Sequence, residues 1–200
     1  MTQIHEHELG LSWVTDDAMQ RASHALRDGD RVWLVDPVDD DDALRRAAAL
    51  GAPAGVLQLL DRHNRDCAAI AARLGVAHLK VPEALPDAPF EAHRVIRNPL
   101  WNEVALWWPA HDALVVAEAL GTAPAWTLDA APVGVHPMRR LLPPRNLRRF
   151  APQHLLVGHG APLHGPQTAQ HTHDAIARSI RDAPRLVLKL PALLRTGRGL

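Results

Sequence analysis

The sequence is poor in cysteine and in aromatic residues other than tryptophan, and it carries no net charge. Its 200 residues include one Cys, two Phe and no Tyr, and 22 Lys and Arg balance 22 Asp and Glu. A single cysteine excludes a disulfide within the chain and is typical of proteins of reducing compartments. The charge balance lacks the basic excess of nucleic-acid-binding proteins, so we expect no nucleic-acid partner.

Long hydrophobic runs and targeting signals are also missing. No run reaches the roughly 20 apolar residues that a membrane helix needs. The first ten residues, MTQIHEHELG, have neither the basic start nor the apolar core of a signal peptide. These absences, together with the single cysteine, predict a cytoplasmic protein without a membrane span. Because 200 residues suit one sizeable core, we expect residues 1–200 to form a single domain.

Several common catalytic motifs are absent. The chain has no Gly-x-Ser-x-Gly elbow, no Gly-x-Gly-x-x-Gly dinucleotide motif and no Walker loop. Cys67 lies in an Ala-rich helical pattern, where we expect a small core residue and not a nucleophile. His5 and His7 are expected on a solvated N-terminal strand. The remaining histidines and carboxylates are therefore the residues that could carry chemistry.

Apolar runs alternate with helical patterns in the first half of the chain. Residues 31–37 and 54–60 predict buried strands, and helical patterns follow over about 39–50 and 64–74. The four-Asp run at the start of the first helix is expected to cap it. Residues 76–81 predict a third strand. This alternation predicts an α/β fold with a sheet covered by helices.

The second half is less regular. Residues 82–100, rich in proline and polar residues, are expected to form a loop. Residues 103–108 and 113–117 predict a hairpin. Further on we expect an irregular stretch with one short helix, a strand and a last helix, at 121–152, 153–157 and 167–182. The apolar and basic tail, 184–200, is expected to pack on its own domain; an oligomer contact or a membrane-surface segment would also suit it.

Polar residues follow two of the predicted strands directly. Residues 59–66 read LLDRHNRD, and residues 157–162 read VGHGAP. Polar groups at strand ends are where α/β proteins build active sites. A further carboxylate follows the predicted hairpin. The candidate site residues are therefore Asp61, His63, Arg65, Asp66, Glu118 and His159.

The order of these elements resembles the metallo-β-lactamase superfamily over most of residues 25–182. The resemblance rests on that order, on the fragments LVDPV, VVAEALG and LLVGHGAP, and on the loop at 61–66. It implies an αββα sandwich, in which two mixed β-sheets are flanked by helices and a metal site lies along one edge. The family signature is a His-x-His-x-Asp-His loop, followed by a further His, a bridging Asp and a final His.

The loop of this chain departs from the family pattern at most ligand positions. His63 matches the second His, whereas Asp61 and Asp66 stand where the family has its first and last His. Arg65 stands where the family has the Asp that binds the second metal and orients the nucleophilic water. The resemblance therefore implies a degenerate metal-binding loop.

The positions outside the loop are partly kept. His159 matches the final His, and Glu118 stands at the bridging Asp. Residues 98–101, NPLW, contain no His where the family has a further one. Only His63 and His159 therefore keep the family residue, although Asp61, Asp66 and Glu118 are still able to bind a cation.

We predict that the chain has lost the dinuclear zinc site, binds no metal cofactor and is not a standard metallo-hydrolase. A guanidinium cannot lose its proton and cannot ligate zinc. Placed among carboxylates, Arg65 could pair with Asp61, Asp66 or Glu118 and supply the positive charge of a metal.

Two alternatives stay open at this point. One is an active hydrolase of a small ester, thioester or lactone that uses a single zinc, manganese or iron ion. Its ligands would come from Asp61, His63, Glu118 and His159. The other is an interaction module that forms homo-oligomers or binds a protein partner through exposed Trp side chains and the basic tail. The sequence names neither a substrate nor a small-molecule ligand.

Overall fold

The computed structural model of the chain describes the backbone of residues 2–128 and 131–195, and side chains in these ranges as far as residue 185. This part of the chain contains two large mixed β-sheets, of six and five strands, and four α-helices. The sheets stack face to face and helices cover both outer faces, so the predicted αββα sandwich is confirmed.

The first sheet uses the N-terminal half of the chain in sequence order. Its strands are β1 (Gln3–His7), β2 (Gly10–Val14), β3 (Ala22–Asp28), β4 (Arg31–Val35), β5 (Ala52–Gln58) and β6 (His78–Lys80). Strands β1 to β4 pair antiparallel, and β4, β5 and β6 pair parallel. Helices α1 (Asp41–Leu50) and α2 (Cys67–Leu74) cover its outer face, where Ala47 and Ile70 are buried.

The ends of these two helices follow the sequence signals. The Asp40 carboxylate accepts a hydrogen bond from the Ala43 backbone N–H at 2.9 Å, which caps α1 as the four-Asp run predicts. Helix α2 ends at Gly75, whose φ of 67° lies in the left-handed region that glycine tolerates. Cys67 is buried at the start of α2, and burial raises the pKa of its thiol to about 12, which suits an inert core residue.

The second sheet uses the C-terminal half in the order β13-β12-β9-β8-β7. Its strands are β7 (Glu91–Asn98), β8 (Trp101–Trp108), β9 (Ala113–Val116), β12 (His154–Val157) and β13 (Leu163–His164). A two-stranded sheet, β10 (Leu120–Gly121) and β11 (Gly134–Val135), and the short helix α3 (Pro124–Thr127) lie between β9 and β12 in sequence. Helix α4 (Thr168–Arg195) covers the outer face of the five-stranded sheet through Ala175 and Ile176.

The main core lies between the two sheets. Leu26 and Leu57 of the first sheet pack in one buried cluster with Leu106 and Leu156 of the second. Burial of this apolar surface is the principal force that holds the sandwich together. At one edge the sheets are joined through backbone bridges that pair Leu60 with Glu103 and Arg21 with His159. The candidate site lies at this edge.

Strand β7 contradicts the sequence prediction, which expects a loop over residues 82–100. Residues Glu91–Asn98 pair antiparallel with β8, with a bulge between Arg94 and Ile96. Seven of the eight side chains of β7 are half-buried or exposed, because the strand lies at the edge of its sheet. Edge strands tolerate polar residues, so the local sequence does not show the hydrogen bonds that β8 supplies.

The last helix is longer than predicted. The pattern indicates residues 167–182, whereas α4 continues to Arg195 through Pro184. Proline supplies no backbone N–H to the carbonyl four residues earlier, which belongs to the exposed Ile180. The predicted packing of the 184–200 tail falls mostly outside the described side chains. No helix in the described part of the chain is long and apolar enough to cross a membrane.

Candidate metal centre

The candidate site lies where β4, β5, β9 and β12 end. Asp36 follows β4, the loop 59–66 follows β5, Glu118 lies after β9, and His159 lies after β12. Strands β4 and β5 are parallel, and so are β9 and β12, so each pair brings its carboxyl ends to the same edge. The topology therefore collects polar residues from distant parts of the chain.

Three of the predicted site residues converge on one point. Ligand atoms of His63, Glu118 and His159 lie within 4.8 Å of one another, and no other such group occurs among the described residues. His63 Nε2 lies 3.1 Å from Glu118 Oε1, and His159 Nε2 lies 3.8 Å from the same oxygen. All three residues are buried.

Hydrogen bonds at Nδ1 determine which nitrogen of each histidine faces Glu118. His63 Nδ1 lies 3.1 Å from Asp36 Oδ2, and His159 Nδ1 lies 2.8 Å from the Met19 carbonyl oxygen. Because these oxygens are acceptors, each Nδ1 carries a proton, and Nε2 of neutral His159 has a free lone pair. His63 Nε2 instead lies at hydrogen-bond distance from Glu118 Oε1, so it donates to that oxygen when the ring is protonated and offers a lone pair only when the ring is neutral. The Nε2 atom of His159 is buried without a hydrogen-bond partner among the described residues. Metal-binding histidines commonly donate one ring N–H to a carboxylate or backbone carbonyl in this way and bind the metal through the other nitrogen.

A third histidine approaches Glu118 with the opposite tautomer. The backbone N–H of Met138 donates to His136 Nδ1 at 3.2 Å, so the ring proton of neutral His136 lies on Nε2. That Nε2 is 3.6 Å from Glu118 Oε2. Burial lowers the pKa of His136 to about 4, although Glu118 opposes this shift. His136 therefore turns a neutral N–H toward Glu118, at a distance too long for a hydrogen bond, and offers no lone pair to a metal.

The charges of the converging group suit a cation. Burial opposes ionisation of Glu118, but the hydrogen bonds and charges of His63 and Arg62 hold the pKa of its carboxyl well below the usual range. Burial, aided by Arg65 and His63, lowers the pKa of His159 to about 3. At neutral pH the site thus offers an ionised carboxylate and a neutral imidazole.

Arg65 does not pair with a site carboxylate, and the predicted ion pair with Asp61, Asp66 or Glu118 is wrong. Its guanidinium donates hydrogen bonds to the backbone carbonyl oxygens of Ala22, at the start of β3, and of Asp36 and Gly158, which follow β4 and β12. These oxygens lie beside the loop, and they satisfy the charged group without any carboxylate oxygen. Arg65 is therefore a fixed cation behind the converging group.

Arg62, which the sequence does not single out, is the cation that pairs with Glu118. Its Nη2 lies 2.7 Å from Glu118 Oε2, and its guanidinium carbon lies 3.9 Å from the centre of the Trp101 ring. Its Nη1 donates to the Leu100 carbonyl oxygen at 2.8 Å. The only signal in the sequence is its position beside His63 in the loop.

Two predicted residues lie outside the converging group. Asp66 Oδ2 accepts a hydrogen bond from the Asp39 backbone N–H at 2.8 Å, so this side chain is engaged at the approach to α1. Asp61 Oδ1 is buried without a hydrogen-bond partner among the described residues, and Asp61 is not one of the three converging side chains. The single-metal ligand set therefore contracts to the two histidines and Glu118.

Glu103, which the sequence pattern predicts only as part of a strand, supports the Glu118 turn. Its fully buried Oε1 accepts backbone N–H bonds at 3.0 to 3.1 Å from Ala117, Glu118 and Ala119. Burial raises the pKa of Glu103, although these donors and the Trp101 indole act in the opposite direction. A carboxylate within an otherwise apolar strand is the signal that could have found it.

Comparisons with solved structures agree with this architecture. The B3 metallo-β-lactamase BLEG-1 is similar over 88% of this chain and 99% of its own, with a TM-score of 0.54 and 12% identity. A metallo-β-lactamase from Pontibacter korlensis is similar over 88% of this chain and 93% of its own, with a TM-score of 0.53 and 9% identity. TTHA1623 in a di-iron-bound form is similar over 77% of this chain and 95% of its own, with a TM-score of 0.51 and 18% identity. No protein-family model and no curated protein sequence matches the chain. The chain has the metallo-β-lactamase fold.

Proposed function

We propose that this protein binds one transition-metal ion at His63, Glu118 and His159 and hydrolyses a small ester, thioester or lactone. The supporting observation is the buried Nε2 of His159, which has no hydrogen-bond partner among the described residues and faces one oxygen of Glu118 together with His63 Nε2. A buried polar atom left unpaired costs about 1–3 kcal/mol. A metal ion at this point would satisfy it.

The donor set suits such an ion. Two imidazole nitrogens and one carboxylate oxygen are ligands that zinc, iron and manganese accept, and catalytic zinc typically has three protein ligands and one open position. When bound, the ion would lower the pKa of a water molecule and polarise a substrate carbonyl. These properties are the reason for proposing hydrolysis.

The surrounding residues would hold the ligands in place. Asp36 and the Met19 carbonyl orient the two imidazoles through Nδ1. Arg62 and His136 face Oε2 of Glu118, which leaves Oε1 toward the histidines. Such outer partners orient metal ligands and raise their basicity.

We propose one ion and not two because of Arg65. This residue stands at the loop position where the family resemblance implies a second-metal ligand, and its guanidinium is committed to three carbonyl oxygens. An arginine cannot lose its proton in a protein and repels a second cation. Asp66 is also engaged elsewhere.

A metal-free binding protein is the second candidate, and the hydrogen bonds of His63 favour it. His63 lies 3.1 Å from Asp36 Oδ2 and 3.1 Å from Glu118 Oε1. Burial and Arg65 favour its neutral form, but Asp36 and Glu118 outweigh them and raise the pKa of His63. A protonated His63 would bridge both carboxylates without a metal, whereas His159 Nε2 would still lack a partner.

Hydrolysis assays on chelated and reconstituted protein test the proposal. An aryl acetate, an acyl thioester and a lactone serve as substrates. We expect chelation to abolish hydrolysis of at least one of them, and zinc, manganese or iron to restore it. His159→Ala should lose both activity and metal binding, whereas His111→Gln, a control on the exposed turn after β8, should keep both. Activity that survives chelation, or failure to bind any of the three metals, would overturn the proposal.

A further inference from the structure

Two guanidinium groups lie against one tryptophan beside the candidate metal centre. The guanidinium carbons of Arg62 and Arg139 lie 3.9 and 5.9 Å from the centre of the Trp101 ring. Both distances fall within the range of cation–π contacts. The indole of Trp101 is buried, and its ring also contacts His136 at 4.7 Å between ring centres.

Among the described residues, one carboxylate, that of Glu118, makes an ion pair with these two cations. Arg62 makes an ion pair with Glu118, and that carboxylate is also approached by three histidines. Arg139 Nε is buried without a hydrogen-bond partner among the described residues. A guanidinium presents its donors in a planar fork that matches a carboxylate. This part of the molecule is therefore suited to an anionic group.

Large apolar side chains are exposed beside the same cations. Leu100 precedes Trp101 and is 84% exposed, and Met138 precedes Arg139 and is 77% exposed. Leu141 and Leu142 follow, each 69% exposed. Of the six large hydrophobic side chains exposed in the described part of the chain, these are four. Single exposed hydrophobic residues are ordinary, whereas four that lie within three residues of Trp101 or Arg139 in the sequence indicate a binding surface.

We propose that the surface around Trp101, formed by Arg62, Leu100, Met138 and Arg139, binds a medium-chain fatty acyl carboxylate. The carboxylate would pair with Arg139 beside Arg62, and the alkyl chain would lie over Leu100 and Met138. Flexible apolar side chains such as Met adapt to a flexible chain. The inference rests on the proposed function in one respect, since hydrolysis of an acyl ester or thioester by water releases such an acid.

The charge and the position of the surface favour this occupant. A neutral apolar ligand would leave Arg139 without an anion, and a short carboxylate would leave Leu100 and Met138 exposed to water. The surface is also continuous with the metal centre, because Arg62 contacts both the Leu100 carbonyl and Glu118. A bound acyl group would thus lie beside the ligand atoms of the centre.

Titration calorimetry of the full chain with sodium decanoate, kept below its micelle concentration, tests the inference. We expect saturable binding of one decanoate, with acetate and decanol binding at least tenfold more weakly. Arg139→Gln and Met138→Ser should each weaken decanoate binding at least tenfold. Arg148→Gln and Ile180→Ser, which change exposed residues elsewhere, are matched controls and should leave it unchanged.

Three results would overturn the inference. They are the absence of decanoate binding, equal effects of test and control variants, and occupation of the surface by something else. The last would appear as binding to anionic vesicles without binding of free decanoate, or as a dimer that Met138→Ser dissociates. Because the titration needs no metal, metal-dependent hydrolysis without decanoate binding would contradict this inference alone. Decanoate binding by a protein that binds no metal would contradict the proposed function alone.

Discussion

At the scale of single residues, the site depends on two buried carboxylates that hold the proposed metal ligands in place. Glu103 binds three consecutive backbone N–H groups around Glu118, and Asp36 binds the Nδ1–H of His63. Both carboxylates are buried. Buried charges are tolerated only where hydrogen bonds replace water. Here those bonds also determine where Glu118 and His63 lie.

Glu103→Gln tests the first of these supports. The amide keeps the size of the side chain but loses the charge that strengthens its hydrogen bonds, so we expect the free energy of unfolding to fall by about 2–3 kcal/mol. Urea denaturation measures this change. Glu91→Gln, on the exposed edge strand β7, is the control and should change stability by less than about 0.5 kcal/mol. Equal stability of Glu103→Gln and the wild type would show that Glu103 does not support the turn.

Asp36→Asn tests the second support. Because a neutral amide is a weaker partner for the imidazole Nδ1–H, we expect roughly a 10- to 100-fold loss of metal affinity in calorimetric titrations. Asp39→Asn, an exposed carboxylate that pairs with Arg73, is the control and should bind metal like the wild type. If Asp36→Asn bound metal with the wild-type affinity, Asp36 would have no role in orienting His63 for metal binding.

At the scale of elements, the site depends on how closely the strand ends approach one another. A Cβ added to Gly158 would lie 2.2 Å from the Ala117 carbonyl oxygen and 3.1 Å from His63 Cε1. Asp36 and Arg65 have left-handed φ angles of 45° and 28°, a strained backbone for residues with side chains. The ends of β4, β5, β9 and β12 are therefore closely packed around the proposed metal ligands.

Gly158→Ala should disturb this approach. We expect a loss of about 3 kcal/mol of stability from overpacking and weaker metal binding, because the added methyl group displaces His63 or the Glu118 turn. Gly29→Ala is the matched control: its φ of 63° strains an alanine by about 1 kcal/mol, but no atom lies within 4 Å of the new Cβ. If both variants lost equal stability and kept metal affinity, close packing at Gly158 would not matter to the site.

The sequence predicts elements well where local signals suffice. Asp40 and Gly75 mark helix ends, and the hairpin of β8 and β9 follows its apolar runs. It fails for β7, whose hydrogen bonds come from a neighbouring strand. It also misses Asp36 and Arg62, because their roles depend on contacts with side chains far away in the chain. The orientation of Arg65 was equally beyond local pattern, since its partners are backbone carbonyls of three separate segments.

At the scale of the whole molecule, a chain of buried polar groups links the edge of the first sheet to the second sheet. His7 Nε2 lies 2.9 Å from Ser12 Oγ, Ser12 Oγ lies 2.7 Å from His24 Nδ1, and His24 Nε2 lies 3.1 Å from the Val157 carbonyl oxygen. The predicted N-terminal strand forms, but His5 and His7 are both half-buried, so the expectation that they are solvated is wrong. These hydrogen bonds suit the neutral forms of the His7 and His24 imidazoles.

Stability should therefore fall in mild acid. Burial, with help from neighbouring histidines, lowers the pKa of His7 to about 4 and that of His24 to about 3, whereas both titrate near about 6.5 in an unfolded chain. Above this pH their contribution is fully present. As the pH falls below it, the unfolded state takes up protons first, and each histidine removes up to about 1.4 kcal/mol per pH unit.

Urea denaturation between pH 7 and pH 4.5 measures this loss. His24→Asn should be less stable than the wild type at pH 7 and should show a shallower decline toward acid. His111→Gln, at an exposed turn, should decline in parallel with the wild type. A His24→Asn variant with the wild-type slope would exclude His24 as a source of acid sensitivity.

Native mass spectrometry of the folded chain, purified after growth with zinc, manganese and iron, is the most direct test of the metal centre at His63, Glu118 and His159. It counts the metal ions bound to each intact molecule. We expect one ion per wild-type chain and none in His159→Ala. A wild-type chain that retains no ion under any of these conditions, or one that holds two, would contradict the proposed single-metal site.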